Sequence, residues 1–242
     1  MGYGFKITVE GDMACFTRPE MKVERVSYDV PTPSAMVGLI KSIYWKPAIE
    51  IVIDKIIVFN PINFANIRRN EVKDKVKPSL VKSQMNGTGG NPEIITTEVI
   101  SQRATMLLRD VKYGVEFHFE MTGLRSTHDD ESPEKHYSIM RRRLENGQHF
   151  RTPCLGCSEM FAKKICLVDE FDMQQISPEI TKLGDVDLGF MLYCMNYADK
   201  GKADGLDWED IIFSDSANAV YYRPHMINGV IDVAKYREEL RC

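Results

Sequence analysis

The sequence predicts an α+β protein: a ferredoxin-like, RNA-recognition-motif-like domain with a long basic insertion, followed by a small antiparallel β-sheet. Three observations predict it. Hydrophobic periodicity changes in the order strand, helix, strand, strand, helix, strand, which is the βαββαβ order of that domain. A basic stretch at about residues 62–94 interrupts the order between the second and third strands. From about residue 175 the chain turns acidic and carries only short β-rich runs. Residues 1–172 are therefore expected to form the main domain, with residues 173–242 as a β appendage.

The first strand is read over residues 3–9, where Phe5, Ile7 and Val9 alternate onto one face. The first helix has Thr32 as N-cap and Pro33 at its first position. Met36, Leu39, Ile40 and Ile43 recur at helical spacing, and Pro47 closes the run. The β-branched run AIEIVIDKIIVF, closed by Asn60-Pro61, is the second strand. The insertion then carries Arg68, Arg69, Lys73, Lys75, Lys77 and Lys82, with Glu71 and Asp74 among them, and ends in NGTGGNP. It reads as a long loop leaving the core. Strand signals resume over 94–109 and again in KYGVEFHFEM, where Tyr113, Val115, Phe117, Phe119 and Met121 share a face. Ser132 and Pro133 start the second helix, Tyr137, Met140 and Leu144 form its stripe, and Asn146-Gly147 stop it. A last strand is expected at about 160–168, and short strand candidates lie in LGFMLYCMNY, NAVYYRP and NGVIDV.

Composition narrows the function classes. At 242 residues, 43% hydrophobic and 27% charged, the chain can bury a core without staples. No apolar run is long enough to cross a bilayer, and the start lacks an export signal, so a cytoplasmic location is expected. The net charge of −4 hides an asymmetry. Residues 1–168 carry 24 Lys/Arg against 20 Asp/Glu, and residues 169–219 carry 3 against 12. The first part can thus present a basic face to a polyanion. Cys154 and Cys157 form a lone CxxC with no second ligand pair at zinc spacing, so buried free thiols are the simpler reading. No metal site and no cofactor are expected. The sequence contains no HExxH, Walker A, GxSxG or GxGxxG motif.

Three places could carry chemistry. Lys135-His136 falls in the first turn of the second helix, where free backbone N–H groups and the helix dipole favour an anion. An ammonium and an imidazole could flank a phosphate there. A solvated Lys135 and a His136 packed beside Ile139 explain the same residues. Tyr44, in Tyr44-Trp45-Lys46, sits at the edge of the apolar stripe of the first helix, with its hydroxyl available. The third place is the set of basic residues Arg68, Arg69, Lys73, Lys75, Lys77, Arg103, Arg109 and Arg141, suited to RNA phosphates.

FKITVEGDMACFTRPEMKVERVSYDVPTPSAMVGLIKSIYWKP, INFANIRRNEV, EKHYSIMRRRLENG and TPCLGCSEMFA together resemble the type I-C (Dvulg subtype) CRISPR-associated endoribonucleases of the RAMP superfamily. The resemblance implies an RNA-recognition-like domain with a small C-terminal β-sheet. It implies metal-independent cleavage of precursor CRISPR RNA at the base of the repeat hairpin. The Tyr of the family's IYWKP motif falls on Tyr44, and its Lys-His pair falls on Lys135 and His136. Retention of the crRNA 5′ handle beside other type I-C Cascade subunits is implied as well, with a DNA contact in the effector complex left open and no membrane. The alternative is a non-catalytic crRNA-binding scaffold of the same complex.

RNA cleavage of this kind needs an aligned 2′-OH, a proton acceptor, a proton donor and charge on the phosphorane balanced. On that scheme Lys135 stabilises the developing charge, His136 handles a proton, and Tyr44 orients the 2′-OH.

Overall fold

The computed structural model describes residues 4–21, 23–90, 93–124, 131–198 and 214–241. The chain is a mixed α+β protein built on one large, mainly antiparallel sheet. Strand β1 (Gly4–Ala14), β2 (Arg25–Val26), helix α1 (Pro33–Ile43) and β3 (Ile49–Val58) come first. Next are β4 (Asn63–Val72), α2 (Pro78–Met85), β5 (Ile100–Met121), α3 (Pro133–Glu145) and β6 (Lys164–Val168). The tail adds α4 (Pro178–Lys182), β7 (Asp185–Asp187), β8 (Met191–Tyr197), β9 (Ala217–Tyr222), β10 (His225–Ile227) and β11 (Val230–Asp232). Along the sheet the order is β6-β1-β5-β3-β11-β10-β7. Among the described residues no helix is long and apolar enough to cross a membrane.

Both long helices start where their caps place them. The Thr32 hydroxyl accepts from the Ala35 N–H at 3.2 Å, and the Ser132 hydroxyl from the Lys135 N–H at 3.3 Å. Each cap satisfies an otherwise orphaned donor and is worth about 1 kcal/mol. The buried side of α1 is Met36, Leu39, Ile40 and Ile43, as its spacing predicts. Burying each such side chain contributes ~1.5–3 kcal/mol. The stripe of α3 differs from expectation. Its buried residues are His136, Met140 and Leu144, while Tyr137 is half-buried and stacks on Phe5 at 4.9 Å between ring centroids. Phe5 in turn stacks on Phe117, so the β1–β5 pair and α3 share one core.

The insertion is not a loop. Strand β4 pairs antiparallel with the first half of β5, from Asn63 opposite Arg109 to Val72 opposite Ile100, and α2 sits beyond it. The two strand signals read over 94–109 and in KYGVEFHFEM belong to one 22-residue strand, which begins at Ile100, so that residues 94–99 lie outside it. Its first half belongs to the arm, and its second half runs between β1 and β3. At Asp110, between the halves, φ is +52°, a conformation unusual for a residue with a side chain. Asn60 Nδ2 donates to the Asp110 carbonyl at 2.6 Å and holds that bend.

The tail also differs from a separate small sheet. Strands β7, β10 and β11 extend the main sheet, with β11 paired to β3. Among the described residues, only β8 and β9 form a two-stranded sheet of their own. Asp54, at a bulge in β3, accepts from Arg237 at 2.6 Å and lies 2.7 Å from His118 Nδ1. That pairing ties the C-terminal segment to the main sheet. The last main-domain strand begins at Lys164 rather than about residue 160.

Candidate active site

Three side chains from two helix ends meet against the sheet. Tyr44 is the residue after α1, and its extended backbone (φ −151°) turns the ring under the helix. Its hydroxyl lies 2.8 Å from His136 Nδ1. The other imidazole nitrogen, Nε2, lies 2.7 Å from Glu131 Oε2. Lys135 Nζ stands 3.8 Å from that same oxygen. Lys135 and His136 therefore share one carboxylate, which the sequence reading missed, and Tyr44 lies on the other side of the imidazole.

The neighbours fix this geometry. Phe119 of β5 meets the imidazole edge-on, with centroids 6.3 Å apart. The Arg143 guanidinium lies 5.2 Å from the centre of the Tyr44 ring and donates to the Ile43 carbonyl at 2.6 Å. Arg143, one of three consecutive arginines, thus clamps the end of α1. His136 is 0% exposed and Tyr44 3% exposed. Lys135 retains 31% of its side-chain surface. Burial pushes the His136 imidazole below its ordinary value; Glu131 opposes that shift, and Lys135 and Lys46 reinforce it. Near neutral pH the ring is therefore uncharged.

Glu131 had a signal in the sequence. With Ser132 as N-cap, Glu131 is the residue before the cap and His136 the fourth helical residue. Those two positions meet in a hydrophobic staple. Here the staple is built from a carboxylate and an imidazole.

The other candidate residues lie on other faces. Arg68, Lys73, Lys75, Lys77 and Arg109 are exposed along the arm and at its base. Arg69 and Arg103 are on the arm too, but carboxylates hold them. Arg69 contacts Glu71 at 2.8 Å and Glu159 at 3.0 Å, and Arg103 contacts Glu71 at 3.2 Å. Arg25 joins the same pair of glutamates. This network fastens the arm to the loop after α3. Arg141 is exposed on α3 and paired with Glu145 at 2.8 Å. The CxxC lies beside the network: Cys157 accepts from Arg25 at 3.4 Å. Hydrogen bonding from Cys15 and Thr17 and the Arg25 charge draw its thiol down to about 5, against the effect of burial. Among the described residues no three His, Cys, Asp or Glu side chains gather into a metal-binding group.

Residues 4–234 match the Cas5d family, described as CRISPR-associated protein (Cas_Cas5). The chain belongs to the Cas5d family. A relative from Mannheimia succiniciproducens, named CRISPR pre-crRNA endoribonuclease Cas5d, is 39% identical over 243 residues, covering 100% of both chains. One of the same name from Thermus thermophilus is 38% identical over 154 residues, 64% of this chain and 60% of that protein. A crystal structure of a CRISPR-associated protein shares the fold, with a TM-score of 0.59 and 22% identity over 95% of this chain and 90% of the other.

Proposed function

We propose that this chain is a pre-crRNA endoribonuclease of the type I-C CRISPR system, and that Tyr44, His136 and Lys135 perform the cleavage. The full-length 39% likeness to a Cas5d endoribonuclease supports the activity. The observation that carries the site is the 2.8 Å contact between Tyr44 Oη and His136 Nδ1, with the Lys135 ammonium on the same carboxylate as the imidazole.

In the reaction the 2′-oxygen attacks the adjacent phosphorus, the P–O5′ bond breaks, and a 2′,3′-cyclic phosphate and a 5′-OH result. Lys135 is the most accessible of the three, so the scissile phosphate meets it first. Its ammonium balances charge on the phosphorane. Access to Tyr44 and His136 follows local rearrangement around Lys135. His136 handles a proton, and Tyr44 orients the 2′-OH. A phenol of pKa ~10 is a weak base by itself near pH 7.

The reading extends to the whole chain. Residues 1–172 act as a ferredoxin-like processing domain, supported by the order β6-β1-β5-β3 with α1 and α3 as the crossovers. Residues 173–242 act as the appendage. The exposed Arg68, Lys73, Lys75, Lys77, Arg109 and Arg141 contact RNA, with Arg69 and Arg103 holding the arm in place. After cleavage the chain keeps the 5′ handle in the cytoplasmic Cascade complex.

A second reading is a scaffold that binds crRNA without cutting it. The full burial of His136 in the free chain favours that reading. One experiment separates the two: purified protein is incubated with its own repeat RNA in excess EDTA, wild type beside His136→Ala. Cleavage by the wild type, lost in the variant, is expected. RNA bound tightly but left intact by the wild type supports the scaffold.

A further inference from the structure

We propose that Glu131 is a positioning residue of this site: it holds His136 in the tautomer whose Nδ1 receives the Tyr44 proton, completing a Glu131–His136–Tyr44 chain. The inference rests on the catalytic reading above and deepens it.

An ionised carboxylate only accepts, and a neutral imidazole has one N–H. Glu131 Oε2 lies 2.7 Å from Nε2 but off the line of a ring N–H, so the contact is a charge contact rather than a hydrogen bond; the carboxylate charge at that distance favours the N–H on Nε2. The other tautomer would set an electron-rich nitrogen against the carboxylate charge. Burial makes such a clash expensive, because the Glu131 side chain is only 6% exposed and His136 is fully covered. Nδ1 is then bare, so the Tyr44 hydroxyl must donate across the 2.8 Å contact.

The chain resolves the weakness of the phenol as a base. As the 2′-oxygen bonds to phosphorus, its proton passes to Tyr44 Oη, and the Tyr44 proton passes to His136 Nδ1. Tyr44 ends unchanged. The departing 5′-oxygen takes a proton from water, and the hydroxide so formed takes up the proton held on His136, which restores the neutral imidazole. Until then the imidazolium faces Glu131, whose charge stabilises it; Lys135 and Lys46 oppose that charge, and Phe119 contributes none. Arg143 acts on the Tyr44 ring rather than on the imidazole.

The test has two parts. Nitrogen-15 NMR of histidine-labelled wild type, with His136 assigned by its loss in His136→Gln, should show Nε2 protonated and Nδ1 bare. Single-turnover cleavage of repeat RNA by Glu131→Gln should fall by about 10²-fold or more, as when a triad carboxylate is replaced by its amide, with RNA affinity held within about twofold. Removing the carboxylate lowers the imidazole pKa, so the acid limb of the pH–rate profile should move to lower pH. Glu131→Asp should recover part of the rate. A protonated Nδ1 in the wild type overturns the proposal, as does a Glu131→Gln rate and acid limb equal to wild type while His136→Ala is inactive. If His136→Ala also cleaves normally, the catalytic reading itself falls. The NMR result decides the matter even where Glu131→Gln does not fold.

Discussion

The tip of α3 and the β4–β5 arm are both rich in cations, yet they are built in opposite ways. At the helix tip the polar groups are packed together: Tyr44 hydrogen-bonds His136, and His136 and Lys135 both stand at Glu131. The imidazole and the phenol are covered. On the arm, Lys73, Lys75 and Lys77 stand in solvent, and α2 has no buried residue. The β4–β5 ribbon beneath them is fixed, by Glu71 and Glu159 among three arginines and by β2, which pairs Arg25 and Val26 with Thr105 and Met106 of β5. Chemistry on a phosphodiester needs groups set in advance, within tenths of an ångström. Holding a polyanion needs charge on a surface the ligand can reach. The difference suggests a division of labour between the two regions.

The sharpest break between them is a substrate change. A 2′-deoxy nucleotide at the attacking position should abolish cleavage, read as no product on a denaturing gel, while binding stays within about twofold. Cleavage that survives would remove the 2′-OH mechanism and the role of the α3 site with it. The reverse separation comes from the arm. Charge reversal of Lys73, Lys75 and Lys77 should weaken RNA binding and flatten its log–log salt dependence by about 2, at roughly 0.7 per single-strand phosphate contact. Cleavage at saturating enzyme should persist. An unchanged salt slope would take the arm out of RNA binding.

Two smaller effects sharpen the comparison further. Glu71→Ala leaves Arg25, Arg69 and Arg103 without a shared carboxylate, and should cost about 1–3 kcal/mol in urea unfolding, with faster amide exchange in β4 than in β1. Equal exchange in the two strands would show that the Glu71 network does not hold the arm. The smallest effect is on pH. In the unfolded chain His136 titrates near 6.5, and in the folded chain it is lowered. The unfolded state therefore takes up its proton first as pH falls. The contribution is whole above about 6.5 and is lost as pH drops toward the folded value. Urea midpoints at pH 7.5 and 5.5 should differ less in His136→Gln than in wild type.

The parts of this molecule that are legible in its sequence are those encoded locally. Thr32-Pro33 and Ser132-Pro133 announce their helices because a cap acts over three residues. The run from Tyr113 to Phe119 reads as a strand because its two faces differ. The arm escapes that reading since β4 alternates only between exposed and half-buried, and its half-buried face carries Arg69 and Glu71 beside Ala65 and Ile67, so no hydrophobic alternation marks it. The left-handed Asp110 hides the continuity of β5. Strands β7, β10 and β11 have three residues each and gain their identity only from the edge they join. In the candidate site, residue type pointed to Tyr44, Lys135 and His136. It did not separate Glu131 from the acidic residues beside it, because only the cap register of α3 does so.

Strand β5 serves both regions with one unbroken backbone. At one end Val72 pairs with Ile100 in the arm; at the other, Phe119 props the imidazole. On the reading proposed above, RNA held on the ribbon would be joined to the cleavage site through this single strand, bent once at Asp110.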